Sequence, residues 1–228
     1  MHQPNFLPWL GFFDKIRRCD VFIAMDNAQF SKTGGTWTNR VQMIVNGEPA
    51  WMTVPIDRAY HGVRTVREMK IGADTVWRTK MLRTIEHSYR RAPHFAELYP
   101  RLESWIGNPT SDLAEYNLSA IREICESLGL RTPIVLGSSL ELDGRATDLL
   151  IRMVGAVGGT AYLAGGGTAG YQEDDKFREA GIELIYQEFQ HPTYSQLNTT
   201  SFQPGQSIVD ALMSCGFAGT ANLLEGNR

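Results

Sequence analysis

The alternation in the last third of the chain constrains the fold most. Pro133-Ile134-Val135-Leu136 reads as a strand closed by Gly137-Ser138-Ser139. Residues 143–157 then carry Leu149, Leu150, Met153, Val154 and Val157 at helical spacing, and Gly158-Gly159 stops them. Ala161-Tyr162-Leu163-Ala164 is a second strand, followed by the glycine-rich turn 165–170, a short helix over 174–180 and a strand over 182–186. Successive strand–helix units imply a parallel sheet, because parallel neighbours need a crossover that a helix supplies. Residues 19–26 fit the same sheet. Their apolar centre, between Asp20 and Asp26, suits a short buried strand.

The opening residues, Met1 to Ile16, carry two prolines and an aromatic run in place of a polar, frayed end. Pro8 suits the first turn of a helix over about 8–18, and residues 2–7 form the loop that enters it. Two readings stand for that loop. It is a core loop packed by Phe6, Leu7, Trp9 and Leu10, or it is a site, with His2, Gln3 and Asn5 near a helix end that favours anions. Further on, Asn46-Gly47 between two apolar runs (41–45 and 50–56) predicts a hairpin, and 66–71 a short strand. Three helical segments follow between about 74 and 130, and a last helix lies near 207–215. The expected fold is one domain over 1–228. It is α/β, with a mostly parallel Rossmann-like sheet, flanking helices, an inserted β-hairpin and an α-helical sublayer.

Composition removes several function classes. A net charge of −3 and a pI near 6.0 argue against a general nucleic-acid binder. Cys19, Cys125 and Cys215 are odd in number and widely spaced, so reduced thiols are expected. No run of about 18 apolar residues exists, and no signal-peptide pattern, so a cytoplasmic protein without a membrane span is expected. The five histidines show neither HExxH nor HxH spacing, which leaves no metal site to expect.

Candidate chemistry gathers at strand ends, where open α/β sheets place their ligand groups. Asp26 ends its strand, although a turn or capping role suits it as well. The loop 27–40, with Lys32, Asn39 and Arg40, suits anion contacts but lacks the GxxxxGK[ST] order. Ser138, Ser139 and Gly165 follow strands, yet Ser138-Ser139 sits in no GxSxG elbow and residues 165–170 do not form GxGxxG.

Ordered blocks along the chain resemble the WbqC-like protein family over nearly its whole length. They are His2-Gln3-Pro4-Asn5-Phe6-Leu7-Pro8-Trp9-Leu10-Gly11-Phe12-Phe13-Asp14-Lys15-Ile16; Asp20-Val21-Phe22-Ile23 with Asp26 and Gln29-Phe30; Asn39-Arg40; and Trp51-Met52-Thr53-Val54-Pro55. Later blocks are Ser138-Ser139, Asp148-Leu149-Leu150, Tyr162-Leu163 with Gly165, Pro192 with Tyr194 and Gln196, and Ser207-Ile208 with Asp210. The resemblance implies a place in bacterial surface-polysaccharide (O-antigen) or natural-product biosynthesis. It further implies a transferase that attaches an aminoacyl group such as glycyl to an amino group of a nucleotide-activated sugar or similar amine. His2, Asp14 and Asp26 are then the candidate bases, since an amine nucleophile must lose a proton. Gln3, Asn5, Lys32, Asn39, Arg40, Ser138, Ser139, Gly165, Tyr194 and Gln196 are the candidate substrate contacts. The expected partner is a small molecule such as a nucleotide sugar. No cofactor is specified, and ATP stays open. Two alternatives also stay open: a non-catalytic sugar-nucleotide-binding or partner protein, and a nucleotidyltransferase-like enzyme. The latter's HxGH signature is missing, Gly11 being followed by Phe12. Family members usually carry apolar residues ahead of the His-Gln-Pro block that form a first strand. The resemblance therefore implies that this strand is truncated, and an extended chain is expected to be more soluble and stable.

Overall fold

The computed structural model describes residues 1–31, 36–165 and 173–226. Residues 1–9 are ordered because several distant elements hold them. The buried Asn117 side chain donates through Nδ2 to the carbonyls of Pro4 (2.8 Å) and Thr38 (2.7 Å). The Phe6 N–H donates to the Trp37 carbonyl, and Ser207 Oγ donates to the Leu7 carbonyl at 2.7 Å. Leu7 sits at φ 37°, a left-handed value that a non-glycine residue adopts only when its surroundings impose it.

From this clamp the chain enters α1 (Leu10–Arg17). Leu10, Phe12, Phe13 and Ile16 pack it into the main core, while Lys15 and Arg17 lie in its last turn, where the helix dipole favours cations. β1 (Phe22–Ala24) follows, fully buried, and pairs in parallel with β4 (Ile134–Leu136). On its other side His2 forms a single parallel bridge to Ala24. β5 (Ala161–Ala164) and β6 (Glu183–Tyr186) form a second parallel pair, with α6 (Asp174–Glu179) between them in the chain and α5 (Ala146–Ala156) leading into β5. A second core cluster, including Met1, Ile23, Met153, Tyr162, Ala164 and Phe177, packs around these strands.

The hairpin is β2 (Arg40–Val45) against β3 (Glu48–Thr53), antiparallel, with Val45 opposite Glu48. Asn46 and Gly47 both take positive φ, as a two-residue hairpin turn requires. The helical sublayer consists of α2 (Val76–Tyr89), α3 (Phe95–Gly107) and α4 (Leu113–Ser127). The fold is thus α/β with parallel pairs, the expected hairpin and the expected helical segment. The described strands pair two by two, in two parallel pairs and one antiparallel hairpin.

Two local expectations are corrected. Residues 66–71 are not a strand: Val66–Glu68 form a 3₁₀ turn closed by a capping box, in which the Thr65 N–H and Oγ1 both donate to Glu68 at 2.8 Å. The last helix, α7, runs over Ile208–Glu225, well past Cys215. It bends at Gly216 (φ 70°), where a Cβ would come within 2.6 Å of the His94 ring.

Candidate functional site

One face of α1, from Gly11 to Lys15, meets the carboxyl ends of β5 and β6 around a cavity of about 500 Å³. Gln187, just beyond β6, joins the three walls. Its N–H donates to the Ala164 carbonyl at 2.9 Å, and its Nε2 donates to the Gly11 carbonyl (2.6 Å) and to Asp14 (3.0 Å). Arg18 donates to the Gln187 carbonyl at 2.7 Å. Asp14 is 1 % exposed, and its carboxylate is committed to this wall: Arg17 lies 2.9 Å away and Arg18 3.6 Å.

His2, Lys15 and Gly165 all face the cavity. His2 Nδ1 lies 2.9 Å from the Gln3 carbonyl. A carbonyl only accepts, so the neutral ring carries its proton on Nδ1, which leaves the Nε2 lone pair free to accept. Burial, and then the Lys15 charge, lower the His2 pKa to about 4, so this imidazole is neutral at ordinary pH. The Lys15 side chain enters from α1 and is 3 % exposed. Burial lowers its pKa to about 8, with Cys19 opposing. On the rim, Trp9, Phe189 and His191 make mutual ring contacts at 5.1–5.3 Å, and the first two line the cavity.

A second group lies at the carboxyl ends of β1 and β4. Asp26, also buried, accepts from the Ser138 N–H (2.8 Å) and the Ser138 Oγ (2.6 Å). Its carboxylate therefore caps the 3₁₀ turn Gly137–Leu140, the capping role weighed for it from sequence. Ser139 Oγ donates to the Leu136 carbonyl at 2.8 Å. Neither Asp26 nor Ser138 lines the cavity.

The remaining candidates are dispersed. Gln3 donates to the Gln29 carbonyl (3.2 Å) and accepts from Thr38 Oγ1 (3.1 Å). Asn5 is buried, and Asn39 donates to the Val54 carbonyl at 3.0 Å. The Arg40 guanidinium stacks over Trp51, 4.1 Å from the ring centre. Tyr194 and Gln196 both donate to Asp210, at 2.8 and 2.7 Å. Tyr89 donates to the other Asp210 oxygen at 2.8 Å while accepting from the Ile44 N–H. That buried network ties α2, the hairpin and α7 together, away from the cavity. Burial raises the Asp210 pKa, and the three donors oppose the rise. Lys32 lies outside the described residues.

The cavity thus unites His2 and Gly165 from the expected set and adds Lys15, Trp9 and Gln187. A signal for Lys15 was present in α1: a helix apolar on several faces must bury any charge interspersed among them. A wider groove of about 570 Å³ lies between the hairpin turn and α2, but its Lys80, Arg83 and His87 are exposed side chains.

Fold and cavity together define an α/β protein with a ligand-sized pocket at the carboxyl ends of parallel strands. The chain belongs to the WbqC-like protein family, whose model matches residues 3–222. It is also similar to Rv1507c, an uncharacterized protein of Mycobacterium tuberculosis (strain ATCC 25618 / H37Rv). The two are 29 % identical over 216 residues, covering 94 % of this chain and 92 % of the relative. No solved structure matches the chain. Among the described residues no helix is long and apolar enough to cross a membrane, and no cluster of ligating side chains could hold a metal ion.

Proposed function

We propose that the chain is a transferase of bacterial surface-polysaccharide or natural-product biosynthesis that attaches an aminoacyl group, such as glycyl, to the amino group of a nucleotide-activated sugar or similar amine. The observation that carries this reading is the cavity at the strand ends, with a neutral His2 opening into it. In the transfer, the amine nitrogen attacks the acyl carbon of an activated donor. The bond to the donor's leaving group breaks, and a proton leaves the amine. We assign that proton to His2 Nε2, whose lone pair is left free when Nδ1 donates to the Gln3 carbonyl. Asp14 and Asp26, the other candidate bases, are already held by Arg17, Arg18, Gln187 and Ser138. Gly165 clears the floor of the cavity, and Trp9 with Phe189 offers ring faces to the body of a substrate.

The same engagement of Asp14 and Asp26 favours one second reading, a protein that binds such a ligand without turning it over. Aminoacyl donors and amino-sugar nucleotides, supplied together and followed by mass spectrometry for the gain of one aminoacyl residue, separate the two. Turnover that drops about 10²–10⁴-fold in His2→Ala supports the transferase with His2 as base. Binding with no transfer from any donor leaves the second reading, and full turnover in His2→Ala removes the base assignment.

A further inference from the structure

We propose that Lys15 is an anion anchor, so that the cavity takes a small molecule with a carboxylate or phosphate head on Lys15 and a ring or apolar body against Trp9 and Phe189. The proposal rests on the cavity being the substrate site, but not on the transfer chemistry.

Lys15 is 97 % buried, and among the described residues it makes no hydrogen bond or ion pair. The lysines that do form ion pairs, Lys70 and Lys176, are partly exposed and face carboxylates. The nearest acid in the sequence, Asp14, is taken by Arg17, Arg18 and Gln187. Residues 32–35 and 166–172 contain no acidic side chain that could serve instead. A buried ammonium without a partner is costly, and an anion brought by a ligand removes that cost.

The walls leave room for such an anion. Gly165 lies so close that a Cβ there would stand 3.1 Å from Lys15 Nζ. Gly11, one helical turn before Lys15, lets the Trp9 indole lie directly on the helix, where a Cβ would stand 2.2 Å from the ring, and so sets the apolar wall beside the ammonium. The titratable groups facing Lys15 supply no fixed counter-charge. They are the Met1 amine and His2, both held neutral near pH 7 by burial, and the Cys19 thiol, whose pKa burial raises. Tyr186 and Glu188 stand exposed on the rim. With its own pKa lowered to about 8, Lys15 is only partly charged near that pH, so an anion seated on it draws a proton onto the amine.

The test is calorimetry on the full chain with sulfate and with acetate, neither of which titrates near pH 8, in two buffers of different ionisation heat. Sulfate stands for a phosphate head and acetate for a carboxylate, and the tighter of the two names the source. Saturable binding with uptake of about half a proton near pH 8, and almost none near pH 6.5, is expected. Lys15→Met weakens binding at least about 10-fold, while Lys15→Arg keeps binding and loses the uptake. If Lys15→Met does not fold, the Lys15→Arg result decides. No saturable binding of either anion, or binding with the same uptake in Lys15→Arg, overturns the proposal. Proton-linked binding without transfer keeps the anchor and removes the transferase. Transfer with unchanged anion affinity in Lys15→Met does the reverse.

Discussion

Lys15→Met should stabilise the free protein, and by an amount that depends on pH. In the fold the Lys15 amine falls from 10.5 to about 8, chiefly because burial disfavours its charge. That gap of about 2.5, at about 1.4 kcal/mol per pH unit, costs the folded state about 3 kcal/mol wherever both folded and unfolded chains carry the proton, which is below pH 8. Above pH 8 the folded chain sheds the proton first, while the unfolded chain holds it until about 10.5. The contribution of Lys15 to stability therefore rises with pH through this window, and at pH 9.5 only about 1 kcal/mol of the cost remains. Urea unfolding of both proteins at pH 7 and pH 9.5 reads the difference. The variant is expected to lead by about 3 kcal/mol at pH 7, with the lead shrinking by about 2 kcal/mol at pH 9.5. Because the thioether packs identically at both pH values, the shrinkage reports mainly the ammonium, with smaller contributions from the Met1 amine and Cys19, whose pKa values its charge also lowers. A variant that is no more stable, or whose lead is the same at both pH values, would refute the reasoning. A residue that weakens the fold this much is expected where it serves a ligand.

Three further substitutions test the scaffold under the site. Asn117→Ala leaves the buried Pro4 and Thr38 carbonyls without their donor. It should cost about 2–4 kcal/mol in urea unfolding and loosen the loop that carries His2, lowering any turnover. Ser207→Ala removes both the α7 cap on Val209 and the bond to Leu7, for a loss of about 1–2 kcal/mol. In Gly216→Ala the new Cβ meets the His94 ring at a backbone φ of 70°, so a loss of about 1–3 kcal/mol should appear as a lower thermal midpoint.

Local signals carried most of the element assignment. Asn46-Gly47 placed the hairpin, Gly158-Gly159 marked the end of α5, and the strand–helix alternation gave the parallel pairs. What escaped depends on tertiary contact. The apolar residues of 66–71 suggest a strand, but the Thr65–Glu68 capping box makes a turn of the segment. The last helix, expected near 207–215, runs on past Gly216 with a bend, where the His94 ring lies in the space a side chain would fill. At the site, His2 is legible in the loop that enters the first helix, and Gly165 as the residue that follows a strand. Asp14 drew notice for its place in the opening block, though Arg17 and Arg18, one turn on, claim its carboxylate. Tyr194 and Gln196 belong to Asp210, a partnership fixed by the chain's return and invisible to spacing. Lys15 lies on a short helix, where charged residues usually face water, and its burial depends on the distant chain that closes over α1 at Gly165 and Gln187.

The central claim, that an uncompensated buried lysine organises a ligand cavity at the strand ends, is tested most directly by titrating that amine itself. With lysine labelled by ¹³C at Cε, and Lys15→Arg identifying the resonance, the chemical shift is followed from pH 6 to pH 11 without and with saturating sulfate. The structure predicts a midpoint near 8 in the free protein and a clear rise when the anion is bound. A midpoint at the ordinary lysine value near 10.5, unmoved by sulfate, would contradict it.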